Sequence, residues 1–391
     1  MGQHGEIDPT DLPIMRMKKI PKVALVYDRI NKIGGAERVL QSLHEIWPTA
    51  PIYTAVYNRK TASWADVFTV HTTFLQSLPI ARHHHEWFAW ATPMAFESFS
   101  FDEFDIVISV TSAEAKNIIT KPGTVHICYC LTPTRYLWSG AHEYMSHSHI
   151  GLPTWLVKPV LSVAQKYLRS WDLTASTRPD YYLAISDRVK QRIHTYYGRT
   201  VEKVIYPPVN VDFFTVDQKK SQSHTGYFLI VSRLVAYKKV DQVIAACNRL
   251  QLPLVVIGNG AEKKYLIQQA GKTVQFIDAV TDEELRTWLQ GCRAFIFAGD
   301  EDFGISVVEA QSCGKPVIAY RNSGVSEIIR DGVTGVLYDE QTTDSLVAAL
   351  NTFQKQWYDS TLCRRNAERF SLRRFKSEMK NTLETIYNTH I

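Results

Sequence analysis

Two glutamates, Glu301 and Glu309, lie eight positions apart in the stretch GDEDFGISVVEAQSCGKPVIAY, residues 299–320. Such a pair could be a catalytic acid and base, a clamp for a nucleotide, or the acidic first turn of an ordinary surface helix. The last alternative explains Glu301 and Asp302, but it does not explain Glu309, which follows two valines inside the predicted helix. The triplet DFG at 302–304 also occurs in protein kinases, but no kinase catalytic loop or glycine-rich kinase loop precedes it.

The residues between the two glutamates could bind phosphate. The run AFIFAG predicts a strand, and GISVVEAQSCG predicts the helix that follows it. The backbone N–H groups of Gly304, Ile305 and Ser306 would form the start of that helix, where N–H groups lack intrahelical partners and favour an anion. The first glutamate is predicted in the loop before the helix, and the second about one turn inside it.

Three basic residues follow another predicted strand in the stretch VSRLVAYKKVD. Arg233 comes directly after the strand, and Lys238 and Lys239 fall in the next turn. Arginine binds phosphate through paired N–H groups and lysine binds it as a point charge, so these cations could neutralise a diphosphate. Basic residues near a helix start are otherwise unfavourable, which favours a binding role over a solvated charge cluster.

Glycines lie in two further turns between a predicted strand and a predicted helix. Gly34 and Gly35 follow the first strand of the chain, and Gly258 and Gly260 lie in VIGNGAEKKYL. Glycine lets a phosphate or an acceptor molecule approach the backbone, but a tight turn explains each pair equally well. The Gly-x-Gly-x-x-Gly fingerprint of dinucleotide-binding proteins is absent.

Strands that alternate with helices must position these residues. In both halves, short and nearly continuous apolar runs alternate with helical stretches, which is typical of a parallel sheet covered on both faces. The predicted strands are KVALVYD, DIVISV, VHICYC, DYYLAIS and KVIYPPV in the first half, and GYFLIVSR, PLVVIG, VQFID, AFIFAG, PVIAY and GVLYD in the second. The sequence therefore predicts an α/β protein with two Rossmann-like doubly wound domains that face each other across a cleft, with the ligand at the carboxyl ends of the strands.

The predicted units have these limits. Residues 1–16 are a leader or tag, and 17–207 form an N-terminal Rossmann-like domain that takes the acceptor. Residues 208–370 form the C-terminal domain that binds the nucleotide, and Pro207-Pro208 marks the predicted boundary between the two domains. Residues 371–391 form a last amphipathic helix, which could cross back to the first domain or belong to the second.

Composition excludes several classes of protein. The chain has 391 residues, 45% of them hydrophobic and 21% charged, which is ordinary for globular domains. The net charge of +5 comes without an arginine-rich stripe, so nucleic acid is not expected as a partner. No apolar run reaches the roughly 18 residues that a spanning helix needs. The six cysteines are predicted to be reduced and buried, with Cys128 and Cys130 on opposite faces of a strand.

Two segments could contact a membrane surface. Residues 81–99 combine Arg82 and three adjacent histidines, 83–85, with tryptophan and phenylalanine. Adjacent histidines diverge and do not have the spacing of a metal site, so an amphipathic interfacial segment or a buried helical hairpin is favoured. The helix predicted over 154–173 likewise mixes apolar residues with lysine and arginine.

Together these motifs resemble the retaining glycosyltransferases of family 4, which have the two-domain GT-B fold. EDFGISVVE is similar to the Glu-x7-Glu motif of that family. From Lys22 onward the matching motifs stand in the family's order: GGAE, SRLVAYKKVD, VIGNGAE, EDFGISVVEAQSCGKPVIAY and DGVTGVLY. HICYCLTPTRYLW and YPPVNVDFF are similar to a subgroup of mannosyltransferases of bacterial O-antigen and exopolysaccharide assembly.

The resemblance implies a role for each matched residue. Arg233 and Lys238 would bind the donor diphosphate and stabilise the departing nucleoside diphosphate. Glu309 would bind the ribose hydroxyls, and Glu301 would contact hydroxyls of the transferred sugar. The backbone from Phe303 to Ser306 would contact sugar and phosphate.

The resemblance also implies the reaction. A sugar moves from a nucleotide-sugar donor with retention of configuration, by front-face attack in which a diphosphate oxygen assists deprotonation of the acceptor. The loop of Gly34 and Gly35 would lie against the reacting atoms, and Gly258 and Gly260 would shape the cleft floor. No metal or other cofactor is expected, because cations and a helix start supply the positive charge.

The expected donor is GDP-mannose, with a UDP-sugar as the alternative. The expected acceptor is a polyprenyl-diphosphate-linked saccharide, bound by a cytoplasmic protein that is peripheral on the inner face of the bacterial plasma membrane. Leu131 and Ser112 stand where members of the subgroup often have histidine, which leaves acceptor identity open. Two alternatives remain: another enzyme of this fold, such as a phosphorylase or epimerase, and a non-catalytic nucleotide-binding or scaffold subunit.

Overall fold

The structure is a computed structural model that describes residues 21–78, 88–140, 154–217 and 226–390. Its strands form two sheets in which all the pairs are parallel. The first sheet contains Val23–Tyr27 (β1), Ile52–Thr54 (β2), Val70–Thr72 (β3), Ile106–Thr111 (β4), Val125–Cys130 (β5), Tyr181–Ala184 (β6) and Lys203–Val204 (β7). The second contains Phe228–Val231 (β8), Leu254–Ile257 (β9), Val274–Ile277 (β10), Ala294–Phe297 (β11), Val317–Tyr320 (β12) and Gly335–Tyr338 (β13).

Helices connect the strands and cover the sheets. The α-helices are Gly35–Ile46 (α1), Thr92–Glu97 (α2), Thr154–Ser176 (α3), Asp187–Tyr197 (α4), Val240–Leu250 (α5), Lys263–Gln269 (α6), Asp282–Gly291 (α7), Ile305–Ser312 (α8), Thr343–Gln354 (α9), Ser360–Ala367 (α10) and Leu372–His390 (α11). Short 3₁₀ helices are Ser63–Val67, Phe74–Ser77, Ala115–Asn117, Ala236–Lys238, Gly324–Glu327 and Glu368–Phe370. Side-chain caps fix several boundaries. For example, Thr281 and Glu284 form a capping box at the start of α7.

Both sheets are doubly wound. The strand order is β3-β2-β1-β4-β5-β6-β7 in the first sheet and β10-β9-β8-β11-β12-β13 in the second. The order reverses between β1 and β4 and between β8 and β11, which places a ligand-binding crevice at the carboxyl ends of those strands. The predicted fold class is confirmed. The sequence missed β2 and β3, whose three residues each are too few for a clear apolar run.

The expected placement of the two central cysteines was wrong. Cys128 and Cys130 are two positions apart on β5, and side chains two apart on a strand point to the same face. Burial and the adjacent Cys128 thiol raise the pKa of the Cys130 thiol. All six cysteines are buried and free of disulfides, as expected for structural thiols.

The last helix packs against the first domain. The backbone pairs Val209 with Ser371 just before α11 begins. Within α11, the Phe375 ring lies 6.0 Å from the Tyr129 ring of β5, and Lys376 forms an ion pair with Glu45 of α1. The chain therefore crosses from the second sheet back to the first.

The two segments considered for membrane contact are only partly described. His83, His84 and His85 lie outside the described residues. Nearby, Trp90 and Met94 are exposed, and Val163 and Tyr167 are exposed on α3. No helix in the described part of the chain is long and apolar enough to cross a membrane.

Candidate functional site

The carboxyl ends of the two sheets face each other, and contacts between the domains join them. A Cβ added to Gly35, at the start of α1, would lie 2.7 Å from the Cδ1 atom of Ile305, at the start of α8. The predicted glycine loop of the first domain is therefore directly opposite the predicted phosphate-binding helix of the second. Beside it, a Cβ on Gly34 would lie 3.1 Å from the Glu37 carboxylate. These contacts leave no room for larger side chains without adjustment of their neighbours.

A second set of contacts lies between α4 and the loops after β11 and β12. The backbone N–H groups of Asp187 and Arg188 donate to the two Glu327 carboxylate oxygens at 2.9 Å each. The Arg188 guanidinium also donates to Asp300 at 2.7 Å, and Arg192 forms an ion pair with Asp302. Anionic carboxylates favour the start of a helix, so these bonds fasten the first domain to the loop that carries Glu301.

Glu301 lies in the loop between β11 and α8, as predicted, and forms an ion pair with Lys238. Its backbone N–H donates to the Ser323 hydroxyl at 3.0 Å, which fixes the loop. Burial raises the pKa of Glu301, but the positive charges of Lys238, Arg135 and Arg233 outweigh burial and hold the pKa below its usual value. Glu301 is therefore an ionised hydrogen-bond acceptor, which suits a contact with sugar hydroxyls better than the role of a proton donor.

The predicted diphosphate cations surround a tyrosine that the sequence analysis did not single out. The Arg233 guanidinium donates to the Tyr237 hydroxyl at 2.8 Å. The Arg135 guanidinium, from the loop after β5 in the first domain, lies over the same ring at 4.1 Å from its centroid. Tyr237 lies within the quoted stretch VSRLVAYKKVD and Arg135 within CLTPTRYLW, so the motifs contained both residues although no role was assigned to them.

The start of α8 has the geometry of an anion site. Gly304 precedes the helix with φ of 110°, a conformation that favours glycine, and a Cβ there would meet Val325 at 2.5 Å. No side chain in the described part of the chain caps α8, so the N–H groups of Ile305 and Ser306 have no side-chain acceptor there and are available to an anion. The Phe303 side chain is buried and stacks on Tyr206 at 5.7 Å, so only its backbone is available to a ligand.

Glu309 is buried in α8 and is bound by a residue from the other domain. The Arg38 guanidinium donates to Glu309 at 2.6 Å and to both carboxylate oxygens of Asp282 at 2.9 and 3.1 Å. Burial raises the pKa of Glu309, Arg38 lowers it, and the negative charge of Asp282 raises it again, so the pKa stays above its usual value. A ribose bound to Glu309 would have to share or displace Arg38, which the sequence analysis did not consider.

Gly258 and Gly260 pack against the backbone on either side of Arg233. A Cβ on Gly258 would lie 2.0 Å from the Ser232 carbonyl oxygen, and one on Gly260 would lie 2.1 Å from that of Leu234. These two carbonyls flank Arg233 in the sequence. The glycines are therefore needed for close packing of the backbone that carries the arginine.

In the first domain, a buried carboxylate accepts hydrogen bonds from residues at the carboxyl end of the neighbouring strand. Asp28, directly after β1, accepts hydrogen bonds from the Thr111 hydroxyl at 2.7 Å and from the Ser112 N–H at 2.8 Å. The Ser112 hydroxyl also donates to Asp28, at 3.2 Å, so this side chain is held inward. Leu131 is half-buried against the core of the domain. Both positions lie at the carboxyl ends of β4 and β5, on the side that faces the second domain.

The sequence comparisons match most of the second domain to one family. Residues 213–370 match the family described as Glycosyl transferases group 1. Among curated relatives, the O-antigen chain mannosyltransferase C of Escherichia coli is 28% identical over 244 residues, 59% of this chain and 62% of that protein. The GDP-mannose-dependent alpha-mannosyltransferase of Corynebacterium glutamicum is 34% identical over 110 residues, 28% of this chain and 26% of that protein. The chain thus spans between about a quarter and three fifths of these relatives.

The fold is similar to that of solved structures, glycosyltransferases among them, over nearly the whole chain. The apo lipopolysaccharide outer core galactosyltransferase WaaB has a TM-score of 0.65 at 18% identity, with 93% of this chain and 99% of that chain covered. Anabaena Alr3699/HepE in complex with UDP and glucose has a TM-score of 0.67 at 18% identity, with 93% and 100% covered. These similarities show that the two sheets and the cleft between them form the GT-B fold.

Proposed function

We propose that this chain is a glycosyltransferase that moves a sugar from a nucleotide-sugar donor to a saccharide acceptor. The observation that carries the proposal is the convergence at one cleft of an ionised Glu301, the cations Lys238 and Arg233, and the uncapped start of α8. A negatively charged diphosphate suits the cations and the helix start, and a sugar hydroxyl suits the carboxylate. The family match over 213–370 supports the same activity.

The chemistry follows from this arrangement. The bond between the anomeric carbon and the diphosphate oxygen breaks, and its electron pair stays on the diphosphate. The acceptor hydroxyl oxygen forms the new bond on the same face of the sugar, and its proton passes to the departing diphosphate. Arg233 and Lys238 stabilise the negative charge that develops there, which is the general role of preorganised cations in group transfer. Retention of configuration belongs to this proposal.

We further propose GDP-mannose as the donor and a lipid-linked saccharide of bacterial surface polysaccharide assembly as the acceptor. The names of the E. coli and C. glutamicum relatives support the mannosyl donor, and the former supports the O-antigen pathway. The exposed apolar residues Trp90, Val163 and Tyr167 suit peripheral contact with the inner face of the plasma membrane, where such acceptors lie.

The test is turnover with a panel of donors. The protein is incubated with GDP-, UDP- and ADP-sugars together with bacterial membrane lipid extract, and released nucleoside diphosphate and extended lipid are measured. We expect both products with GDP-mannose, and a thermal shift with that donor at matching concentration. Turnover with a UDP-sugar alone would replace the proposed donor. Binding without turnover of any donor would instead favour a non-catalytic nucleotide-binding subunit.

A further inference from the structure

The loop after β5, residues 131–138, carries a cation, Arg135, that has no role in the donor site proposed above. Arg135 comes from the first domain, yet its guanidinium lies 4.1 Å from the ring centroid of Tyr237 in the second. Tyr237 immediately precedes Lys238, and its hydroxyl accepts the hydrogen bond from Arg233. Arg135 therefore lies against the ring of a tyrosine that is hydrogen-bonded to Arg233 and adjacent in sequence to Lys238, the two cations proposed for the diphosphate.

The guanidinium N–H groups of Arg135 have no acceptor among the residues that the structure describes. Within the described ranges, no carboxylate lies within ion-pair distance of its guanidinium, and no carbonyl or side-chain oxygen accepts a hydrogen bond from it. Burial lowers the pKa of Arg135, but Glu301, Tyr237 and Asp302 raise it, so the group is held as a cation at this position. The half-buried guanidinium has five N–H donors, and because no described protein group accepts from them they are available to a ligand.

A second stacked arginine shows what an ordinary packing role looks like. Arg286 on α7 lies over the Phe213 ring at 4.5 Å, which is similar to the Arg135 arrangement. Arg286, however, also donates to the Phe213 carbonyl oxygen at 3.3 Å. Arg135 has the aromatic contact without the acceptor, so packing alone does not account for its position.

Hydrogen bonds to the Asp172 carboxylate hold the loop on both sides of Arg135. The Asp172 carboxylate accepts from the Thr134 hydroxyl and from the Trp138 Nε1–H, each at 2.7 Å, and from Lys116 at 2.5 Å. The Lys116–Asp172 pair is buried, and such a pair is tolerated only when further hydrogen bonds satisfy it. A buried charge network that fixes the residues on either side of an unpaired arginine is an arrangement that preorganises it.

We propose that Arg135 is a third diphosphate-binding residue, supplied by the acceptor domain, and that it contacts the donor diphosphate when the two domains close on it. This inference rests on the proposed function. As the sugar–oxygen bond breaks, Arg135 donates hydrogen bonds to the diphosphate oxygens that receive the electron pair. It transfers no proton, because arginine stays charged throughout. Since the other two cations belong to the second domain, the full positive site exists only in the closed arrangement.

The test compares Arg135→Ala, Arg135→Lys and the control Arg286→Ala in the full-length protein. Turnover is measured with the donor that the wild-type protein uses, and the affinities for GDP and GMP are measured by calorimetry. We expect Arg135→Ala to lower kcat about 100-fold, as for loss of one preorganised donor, with partial recovery in Arg135→Lys. Millimolar guanidinium should restore part of the activity of Arg135→Ala and leave the wild type unchanged.

Affinity separates a diphosphate contact from a structural role. We expect Arg135→Ala to weaken GDP binding about 10-fold and to leave GMP binding unchanged, because only GDP presents the second phosphate group. Arg286→Ala should keep wild-type values in both assays. Wild-type kcat and GDP affinity in Arg135→Ala would overturn the inference while the proposed function stands. A wild-type protein that turns over no donor would overturn the proposed function, and GDP against GMP affinity would still decide whether Arg135 contacts the diphosphate.

If Arg135→Ala does not fold, Arg135→Lys tests whether the guanidinium contacts the diphosphate. It keeps the positive charge and most of the stem that covers Tyr237, but it loses the paired N–H groups. A lysine variant with wild-type kcat and wild-type preference for GDP over GMP would show that the site needs no guanidinium, which contradicts the inference. A lysine variant with lower kcat and a weaker GDP preference supports it.

Discussion

Glu301 lies in the loop before α8 and Glu309 lies within α8. They are the same residue type, but their surroundings shift their pKa values in opposite directions. Each has low exposure and each is bound by one cation, Lys238 and Arg38 respectively. Burial raises the pKa of both carboxyls. Around Glu301, three positive charges overcome burial, whereas the one arginine at Glu309 also serves the negative Asp282. The number of cations per carboxylate decides the outcome.

The comparison also separates the two halves of the candidate site. Lys238 and Arg233 belong to the same domain as Glu301, so these two cations stay with the carboxylate whatever the first domain does, and only Arg135 comes from the first domain. Glu309 receives its cation from α1 of the other domain, so its pairing exists only when the domains are in contact. We infer that Glu301 and its two cations from the second domain are preformed and that the nucleoside end is remodelled when a ligand enters.

The largest effect should come from removing the cations at the Glu301 end. We expect Arg233→Ala combined with Lys238→Ala to lower turnover at least about 1,000-fold, since each preorganised charge contributes about 100-fold or more. The Glu301 carboxyl would lose its direct partner, so its pKa should rise as that of Glu309 does. Donor turnover and thermal unfolding measure the two consequences, and the melting temperature should fall, because loss of Lys238 leaves the Glu301 carboxylate without its ion-pair partner.

A double variant far from the cleft provides the control for that experiment. Arg249 pairs with Asp344 at 2.5 Å on the second domain, and Lys376 pairs with Glu45 at the end of the chain. Arg249→Ala combined with Lys376→Ala removes an arginine and a lysine from ion pairs and should keep wild-type turnover. Retained activity in the variant without Arg233 and Lys238 would remove the diphosphate assignment.

The sequence predicted what depends on nearby residues in the chain. Runs such as FLIV and AFIF are strands, and Arg233 and Glu301, which follow them, meet at one edge because parallel strands end on the same side. The start of α8 at Gly304 was also predicted, because the pattern that indicates it lies within a few residues of the chain. By contrast, the assignment of Cys128 and Cys130 to opposite faces was an error in applying the two-residue period of a strand, which places them on the same face.

What could not be predicted is which side chains meet across the cleft. Arg38 and Glu309 are 271 positions apart and belong to different domains, so no spacing in the sequence relates them. Arg135 and Tyr237 were each inside a recognised motif, yet only the docking of the domains places one over the other. The partners of the predicted residues, which determine their charge states, are therefore a property of the assembled structure.

An intermediate effect is expected at the Glu309 end. Glu309→Ala should weaken GDP binding about 10- to 100-fold, because hydrogen bonds to a charged group contribute about 1.5–3 kcal/mol. Glu309→Gln keeps an acceptor oxygen for a ribose hydroxyl and should lose less affinity. Calorimetry with GDP measures both, and Glu283→Ala, an exposed glutamate on α7, is the matched control. Unchanged GDP affinity in the alanine variant would contradict the ribose role.

The smallest effect, and the most direct test of the comparison, is the pH dependence of stability. A carboxyl with a lowered pKa stabilises the folded protein above its unfolded value of about 4.5, and this contribution is lost as the pH falls below it. A carboxyl with a raised pKa does the reverse, because its ionisation above about 4.5 costs more in the folded protein than in the unfolded chain. Each unit of pKa difference corresponds to about 1.4 kcal/mol.

Urea unfolding of the wild type, Glu301→Gln and Glu309→Gln at pH values from 3 to 7 therefore separates the two glutamates. The stability lost in Glu301→Gln should shrink as the pH falls from about 4.5 toward the lower folded pKa, because the carboxyl of the unfolded chain is protonated first and favours unfolding of the wild type. The wild type should lose stability relative to Glu309→Gln as the pH rises above about 4.5. Parallel pH profiles for the two variants would mean that the cations around Glu301 do not offset its burial, and the distinction between the two ends of the site would fail.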